Sequence, residues 1–379
     1  MIPFLRSNRA SAGTAKGISR GHIGLEFARE KLHMVQLERD SQGHIAVRAR
    51  CSLAYPGDRD QLLQSVQTLK STIRQALKSS RFKGRSVTSV LPSHLVRTMS
   101  ITYEADRDGN NDAAIAKAMQ QRLPEALDNY VIDYLPVRSN TERDQRLSVV
   151  AVARRDDVIP YLERLRGCGL DVVALEIGPA AIKRLVTAMT DLSDPENVLV
   201  INFGESVSYL TMISGRRLLF DQEVEFGEVQ LLEHIAAALD MDQQESRQLV
   251  HRHVLRGDRV QCTTDGATAL APDDIRETLL QIIRPRFAPL LEEIKRTLMY
   301  AAAETRGEAA KRIFLVGSIA RWSEVDRLLS ELLDIDVLTI PDPLAPFCTT
   351  GDSATHPQGA EPEIAVATGL ALRGMFEHG

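Results

Sequence analysis

Long apolar runs are absent from this sequence of 379 residues. No stretch approaches the roughly 18–20 apolar residues that a membrane-spanning helix needs, so we expect no transmembrane segment. The first twenty residues, MIPFLRSNRASAGTAKGISR, carry four basic residues but no apolar core, which argues against a secretory signal peptide. Without a periodic apolar face, residues 1–20 are expected to form a disordered, solvated arm; binding of this arm to an anionic lipid surface is the alternative.

Cysteine and the motifs of common catalytic sites are scarce as well. The four cysteines lie far apart and form no Cys-x-x-Cys pair, which argues against a zinc knuckle or a disulfide framework and favours a reducing, cytoplasmic compartment. No Gly-x-Ser-x-Gly element of a serine hydrolase occurs. His251 and His253 have no third ligand spaced nearby, so we interpret them as surface residues and not as a metal pair.

The charge balance excludes a further class of function. A net charge of −5 and an isoelectric point near 6.0 give no overall signature of nucleic-acid binding. The hydrophobic fraction of 44% is sufficient for real cores. The length allows about two to three domains of ~100–200 residues each.

Alternating strand and helix patterns fill the first half of the chain. Two β-rich runs within residues 22–53 are joined by a hairpin signal at residues 40–43. Apolar residues at helical spacing predict a helix within residues 60–79. The segment RLSVVAVARR is apolar on both faces and predicts a central strand. In DDVIPYLERLRGCGL the pattern predicts a helix that Asp156 caps and Gly169 ends.

The second half opens on VLVINFGESVSYLTMISGRRLLFDQEVEFG, residues 198–227, which predicts three strands joined by tight turns. The helix EVQLLEHIAAALD follows directly. From Asp273 a long helical pattern runs on, in which Pro285 and Pro289 predict a kink or a break. KRIFLVGSIARWSEVDRLLSELLDIDVLTI predicts strand, turn, helix and strand, and EIAVATGLALRGMF predicts a final helix. The two halves share one plan, which predicts a duplicated α/β architecture.

Three glycine-containing turns that follow predicted strands are the candidate binding elements. They are GLEFA at 24–28, NFGES at 202–206 and VGSIA at 316–320. Tight turns expose backbone N–H groups that bind anions, so the phosphates of a nucleotide would fit between the first two, and an adenosine or ribose would suit the third. Each turn alone is explained more simply as a structural β-turn. The ordered set of three indicates a nucleotide cleft.

Six segments carry a family resemblance. They are IGLEFAREKLHMVQL, VINFGESVSYLTM, QEVEFGEVQLLEHI, EEIKRTLMY, IFLVGSIA and AVATGLALRG. In this order they resemble motifs of the actin-like fold, and within it the PilM family of cytoplasmic type IV pilus assembly proteins. The resemblance covers roughly residues 22–374 and implies an α/β protein with two lobes, each built on a mixed sheet, around a cleft, with a β-rich subdomain inserted in lobe one.

The resemblance also implies a division into parts. The expected parts are a disordered arm at residues 1–20, lobe one at 21–190, its inserted subdomain at about 81–176, lobe two at 197–342 with an insertion at about 241–300, a loop at 349–362, and a C-terminal helix within 363–379 that returns to lobe one.

Two departures from the family pattern affect the cofactor. The resemblance implies ATP with magnesium, organised by an aspartate in each phosphate loop, but the chain has Glu26 and Asn202 there, and a neutral amide holds metal-bound waters poorly. Residues 28–31 replace Gly-Ser-Ser-Ser, so a flexible glycine is lost, and an inward-facing Glu30 would repel each phosphate charge by roughly 1–4 kcal/mol at ~4 Å. We expect weak ATP binding and negligible hydrolysis, with no catalytic or metal residue assigned. The candidate cofactor-binding residues are Gly24, Glu26, Lys31, Asn202, Gly204, Glu205, Ser206, Gly227, Gly317 and Ser318.

The function that the resemblance implies is that of an adaptor in type IV pilus or related secretion machinery. Its partner would be a single-span inner-membrane protein whose short cytoplasmic N-terminal tail docks between lobe one and the inserted subdomain, which recruits the adaptor to the inner face of the cytoplasmic membrane. An extended tail gains affinity from paired backbone and specificity from side-chain pockets. The alternatives on the same fold are an ATPase or sugar kinase, with Asp133 as the nominated base, and a filament-forming protein. A homo-oligomer is compatible with each of these functions.

Overall fold

The structure is a computed structural model, and it describes residues 19–104, 111–137, 145–190, 196–255, 272–305, 307–348 and 361–375. Most of the expected N-terminal arm and most of the expected loop at 349–362 lie outside these described residues. In the described part of the chain, no helix has the length and apolarity that crossing a membrane requires.

Strands and helices alternate along the chain as the sequence patterns predict. The described strands are β1 Ser19–Phe27, β2 Lys31–Arg39, β3 Ile45–Ala54, β4 Ser86–Val90, β5 Val96–Glu104, β6 Tyr130–Pro136, β7 Gln145–Arg154, β8 Asp171–Glu176, β9 Asn197–Phe203, β10 Ser208–Ser214, β11 Arg217–Val224, β12 Ala310–Gly317 and β13 Asp336–Thr339. The described α-helices are α1 Arg59–Gln64, α2 Val66–Ser79, α3 Asn111–Gln120, α4 Arg155–Gly167, α5 Gly178–Met189, α6 Glu228–Leu239, α7 Gln243–His253, α8 Pro272–Ile283, α9 Ala288–Glu304, α10 Val325–Leu333 and α11 Ala365–Arg373.

Lobe one is built on a five-stranded sheet in the order β3-β2-β1-β4-β8. β1, β2 and β3 pair antiparallel, whereas β4 lies parallel to both β1 and β8. The apolar stripes of α2 and α4 cover one face of the sheet and form a core with buried residues of β1, β2, β4 and β8. Because both faces of the sheet are covered, β2 is buried at every position from Leu32 to Leu37, including the polar His33 and Gln36.

Lobe two repeats this plan in a second five-stranded sheet, in the order β11-β10-β9-β12-β13. Leu199, Ile201 and Phe203 of β9 face a core that contains residues of α6, α8, α9 and α10. The alternate residues Val198 and Val200 face the other side, as the period of two along a strand requires.

Helices α5 and α11 form the core that joins the two lobes. Their buried side chains pack against Val35 and Leu37 of β2 on one side and against Val198, Val200 and Ile213 of lobe two on the other. Residue 369 is glycine because α5 and α11 approach so closely that a Cβ there would lie 2.1 Å from the Ala181 carbonyl oxygen. α11 packs against β1 and β2 of the first sheet.

A third sheet, of three antiparallel strands in the order β5-β7-β6, stands beside lobe one with α3 on one face. RLSVVAVARR is its central strand, as predicted. β4 and β8, which lie near the ends of the expected insertion at 81–176, pair with each other in the sheet of lobe one. Among the described strands of the expected insertion, β5, β6 and β7 form a sheet that is separate from the sheet of lobe one.

Two local predictions are wrong, and two are confirmed. The helix expected within 60–79 is two helices, because the Ser65 side chain accepts the Thr68 N–H and caps the start of α2. Asp156 does not cap α4: it lies in the first turn, where its charge still suits the helix dipole. Gly169 has φ +83° at the end of α4, as predicted, and the segment with Pro285 is a short 3₁₀ turn that separates α8 from α9.

Candidate functional site

A cavity of about 710 Å³ lies between the two five-stranded sheets. Its walls include the turn from β1 to β2, the turn from β9 to β10, the residues that follow β12, and the segment that leads from β4 into β5. Its size and its place between two lobes are typical of a small-molecule site. Eight of the ten candidate residues line it: Glu26, Lys31, Asn202, Gly204, Glu205, Ser206, Gly317 and Ser318.

The two other candidates, Gly24 and Gly227, pack behind the cavity wall. A Cβ at Gly24 would lie 2.1 Å from the carbonyl oxygen of Ala367 in α11, so this glycine permits the close approach of β1 to α11. A Cβ at Gly227 would lie 2.3 Å from the Glu205 carbonyl oxygen, so this glycine lets α6 begin directly beneath the β9–β10 turn. Both glycines support the site through packing.

The first loop, between β1 and β2, is held from behind by Tyr55. The Tyr55 hydroxyl lies 2.8 Å from the carbonyl oxygen of Ala28 and 2.7 Å from that of Lys31, and the Tyr55 N–H donates to the Glu30 carbonyl oxygen at 3.1 Å. Nothing in the local sequence pattern around Tyr55 indicates these contacts, so Tyr55 could not be identified from the sequence. The loop is therefore fixed although it has no glycine.

The second loop, between β9 and β10, directs its carbonyl groups at the start of α6. The N–H groups of Glu228 and Val229 donate to the Gly204 and Glu205 carbonyl oxygens at 3.2 and 2.8 Å, and the Gln230 amide donates to the Ser206 carbonyl oxygen at 3.0 Å. These contacts use N–H groups at the helix N-terminus that would otherwise be available to an anion.

The third turn, after β12, packs against the second. Gly317 has φ +86°, and a Cβ there would lie 2.0 Å from the Phe203 carbonyl oxygen and 2.8 Å from the Asn202 Oδ1. The Ser318 N–H donates to the Phe203 carbonyl oxygen at 2.8 Å, and its hydroxyl donates to that of Gly204 at 2.9 Å. Only glycine fits at position 317, and the Ser318 hydroxyl is already bonded within the protein.

Glu26 is an unusual carboxyl group because one of its oxygens, Oε2, is buried without a hydrogen-bond partner. Burial raises the pKa of Glu26 to about 8, and a hydrogen bond from the Ala367 N–H only partly opposes this. The group is therefore largely neutral at pH 7.

Two carboxyl groups meet across the cleft, Glu30 from lobe one and Glu205 from lobe two. Burial and the hydrogen bond to Glu30 raise the pKa of Glu205 to about 8, and the same hydrogen bond holds the pKa of Glu30 below its usual range. The two carboxyl groups share a hydrogen bond and titrate as a coupled pair. Arg247 of α7 contacts Glu30 at 3.3 Å, so a cation from lobe two completes the contact.

A buried ionic network lies next to the third turn. Arg321 bonds Glu228 at 3.1 Å and Glu363 at 2.8 Å, and the Trp322 indole donates to Glu228 at 2.8 Å. Glu363 precedes α11, so the network connects lobe two with the helix that returns to lobe one. Sequence reasoning missed it, although Arg321 directly follows the predicted VGSIA turn.

The far end of the cavity also connects the two lobes. The Tyr209 hydroxyl lies 2.6 Å from the Ser93 Oγ, in the segment that leaves lobe one, and 3.1 Å from a Glu223 carboxylate oxygen. The Thr211 hydroxyl donates to Asp221 at 2.6 Å, and burial raises the pKa of Asp221 to about 7. This end therefore adds further carboxyl groups to the cavity.

Without a metal bound, these side chains offer a magnesium ion few ionised ligands. Burial raises the pKa of Glu26, Asn202 offers an amide, and Glu205 shares a hydrogen bond with Glu30. Magnesium prefers ionised carboxylates together with several bound waters. In the part of the chain that the structure describes, no three His, Cys, Asp or Glu side chains are placed to hold a metal ion.

The other residues that the sequence singled out lie elsewhere. His251 and His253 are on α7, at the helix end, and belong to no metal-binding group among the described residues. Asp133 is on β6 in the three-stranded sheet and accepts the Tyr134 N–H at 2.9 Å. Asp133 is not one of the residues that line the cavity, so the geometry gives it no role as a base there.

Comparison with known proteins agrees with this architecture. A family model described as type IV pilus assembly protein PilM matches residues 24–258. A solved structure described as the PilM–PilN type IV pilus biogenesis complex is 21% identical, covers 94% of this chain and 98% of that chain, and superposes with a TM-score of 0.71. The ethanolamine utilization protein EutJ from Carboxydothermus hydrogenoformans is 10% identical, with 93% and 89% coverage and a TM-score of 0.50. At these identities the likeness concerns the fold, which is the two-lobed actin-like ATPase fold.

Proposed function

This chain belongs to the family of type IV pilus assembly proteins PilM, and from that premise we propose that it is an adaptor that binds the cytoplasmic N-terminal tail of an inner-membrane partner. The observation that carries the proposal is the family match, which extends from β1 through the three-stranded sheet and into lobe two. The similar structure solved as a PilM–PilN complex supports a protein partner of this kind. We place the adaptor at the inner face of the cytoplasmic membrane, recruited by that partner.

The proposed docking place is the junction between lobe one and the three-stranded sheet. Val131 and Ala153 of the three-stranded sheet share a core with Leu91 and Tyr161 of lobe one, so the junction is apolar. β6 pairs with β7 along one edge, and no described strand pairs with its other edge. An extended tail suits such a place, because it can add backbone hydrogen bonds at a strand edge while its side chains enter apolar pockets.

A titration of the partner's N-terminal tail peptide tests this function. We expect saturable binding by calorimetry, with a negative heat-capacity change because apolar surface is buried. A scrambled peptide of the same composition is the control. Equal binding of the two peptides, or binding of neither, would contradict the adaptor function.

The second part of the proposal is that ATP binds weakly and is hydrolysed negligibly. A cavity of about 710 Å³ accommodates a nucleotide. The phosphates of the nucleotide would lie near the Glu30–Glu205 pair. Among the described residues, no group of three His, Cys, Asp or Glu side chains is placed to hold a metal ion. ATP would then act as a ligand that stabilises the fold by mass action and not as a substrate.

Two measurements separate this proposal from an active ATPase. With Mg-ATP we expect a small, concentration-dependent rise in melting temperature and no phosphate release over hours. Gly204→Glu should abolish the rise, since a Cβ at this position would lie 2.3 Å from the Val207 carbonyl oxygen and distort the loop. Rapid turnover by the wild type that the variant loses would establish an enzyme in place of the adaptor.

A further inference from the structure

One segment of the chain has a charge unlike that of the whole protein. Residues 61–103 contain no aspartate or glutamate, although the protein as a whole carries a net charge of −5. The same segment contains seven basic residues: Lys70, Arg74, Lys78, Arg81, Lys83, Arg85 and Arg97.

The fold concentrates six of these cations on one surface of lobe one. Lys70, Arg74 and Lys78 are four residues apart on α2, so they form one stripe along the helix. The opposite face of α2 is buried in the core of lobe one, which turns the stripe toward solvent. The turn between α2 and β4 continues the stripe, and all of these residues except the half-buried Lys70 are exposed. We define the basic face as Lys70, Arg74, Lys78, Arg81, Lys83 and Arg85.

The cations of the basic face are not neutralised by neighbours. No described carboxylate forms an ion pair with any of the six, whereas Arg184, Arg321 and Arg327 are each paired with glutamates. α4 packs beside α2 and carries the exposed Arg166 together with the exposed Glu163. The positive potential of this surface is therefore available to an external partner.

We propose that the basic face binds an anionic lipid bilayer. α2 has 14 residues and so spans about 21 Å, enough to contact several headgroups at once. Each Lys or Arg near an anionic bilayer contributes about fivefold to partitioning. A single-stranded nucleic acid would require exposed aromatic side chains for base stacking, and Phe82, the aromatic residue within this surface, is partly buried against the core of lobe one.

The proposal rests on the proposed function only in placing the protein beside a membrane. Binding to a membrane partner and binding to the lipid itself would act together, because a protein held by one contact presents the other at high local concentration. The basic face would also set the orientation of lobe one against the membrane. Since the whole protein is acidic, binding to an anionic vesicle has to arise from a local patch of this kind.

The experiment is sedimentation of the full-length protein with vesicles of phosphatidylcholine and phosphatidylglycerol, compared with vesicles of phosphatidylcholine alone. We expect binding to the anionic vesicles only, and weaker binding as salt is added. The test variant is Arg74→Gln, Lys78→Gln, Arg81→Gln combined. The control variant, which removes the same charge from exposed positions of lobe two, is Arg217→Gln, Arg252→Gln, Arg286→Gln combined.

The test variant should lose tenfold or more in vesicle partitioning, and the control variant less than twofold. A protein without residues 1–18 should bind like the full chain, because the basic face and not the arm carries the interaction. The proposal would be overturned if both variants lost binding equally, or if the protein bound neutral vesicles as well as anionic ones. It would also be overturned if deletion of residues 1–18 abolished binding, or if the protein bound a single-stranded RNA more tightly than vesicles. The partner's tail peptide should bind the test variant as it binds the wild type, so failure of this inference is distinguishable from failure of the adaptor function.

Discussion

Arg321 should be among the most important charged residues for stability, because two largely buried glutamates depend on it. The side chains of Arg321, Glu228 and Glu363 are 23%, 7% and 17% exposed. Arg321→Met removes the cation and leaves both carboxyl groups buried without it. Burial already raises the pKa of Glu363, and Arg321 opposes that rise. Breaking a buried ion pair in this way costs about 3–5 kcal/mol, a large part of the roughly 5–15 kcal/mol that stabilises a typical domain.

Arg327→Met is the matched control. Arg327 lies six residues further on in α10 and pairs with Glu324 and Glu331, but its side chain is 74% exposed. Removing an exposed pair costs about 0–1 kcal/mol. Urea unfolding followed by circular dichroism should give a far lower midpoint for Arg321→Met than for Arg327→Met. Adding Glu228→Gln and Glu363→Gln to Arg321→Met should recover part of the loss. Equal midpoints for the two single variants would refute the reasoning.

Three further predictions follow from the site. The contribution of Glu205 to stability should fall as pH rises from about 4.5 to about 8, because the folded group keeps its proton to about pH 8 while the unfolded chain releases it near 4.5. Glu26 adds a fall of the same sign, whereas buried His33, whose pKa is lowered from 6.5 to about 3, opposes both below about pH 6.5. Glu205→Gln should therefore remove one falling contribution from the slope of pH-dependent melts. Gly24→Ala should destabilise by about 3 kcal/mol or more, since its Cβ meets backbone, whereas Gly57→Ala, with open space around it, should change little in the same urea assay. Tyr55→Phe should cost about 1–2 kcal/mol and speed amide exchange in the first loop; unchanged exchange there would contradict its role in holding the loop.

Local patterns predicted the elements that local chemistry determines. The alternation of apolar residues around Gly204 predicts a strand, a tight turn and a second strand, and β9 and β10 pair in that way. Gly169 is left-handed for the same local reason, as the end of α4. The cap at Ser65 is hidden within a continuous apolar stripe, because an apolar period persists across a capped break.

Contacts between distant parts of the chain could not be predicted in this way. Gly24 was assigned to phosphate binding, but the carbonyl oxygen of Ala367, in a helix at the other end of the chain, explains why it is a glycine. The hydrogen bond between Glu30 and Glu205 joins two loops from different lobes. Residue type indicates that these positions are unusual, whereas only the fold indicates which group faces them.

Three contacts between side chains show how the lobes are held in this protein. Glu30 reaches Glu205 and Arg247 of lobe two. Arg321 reaches Glu363, two residues before α11, and Tyr209 reaches Ser93 at the far end of the cavity. An exposed pair contributes about 0–1 kcal/mol, whereas a hydrogen bond to a charged group contributes about 1.5–3 kcal/mol, so the buried contact of Arg321 is the strongest of the three. The protein's own side chains therefore bridge the cleft at both ends and beside α11.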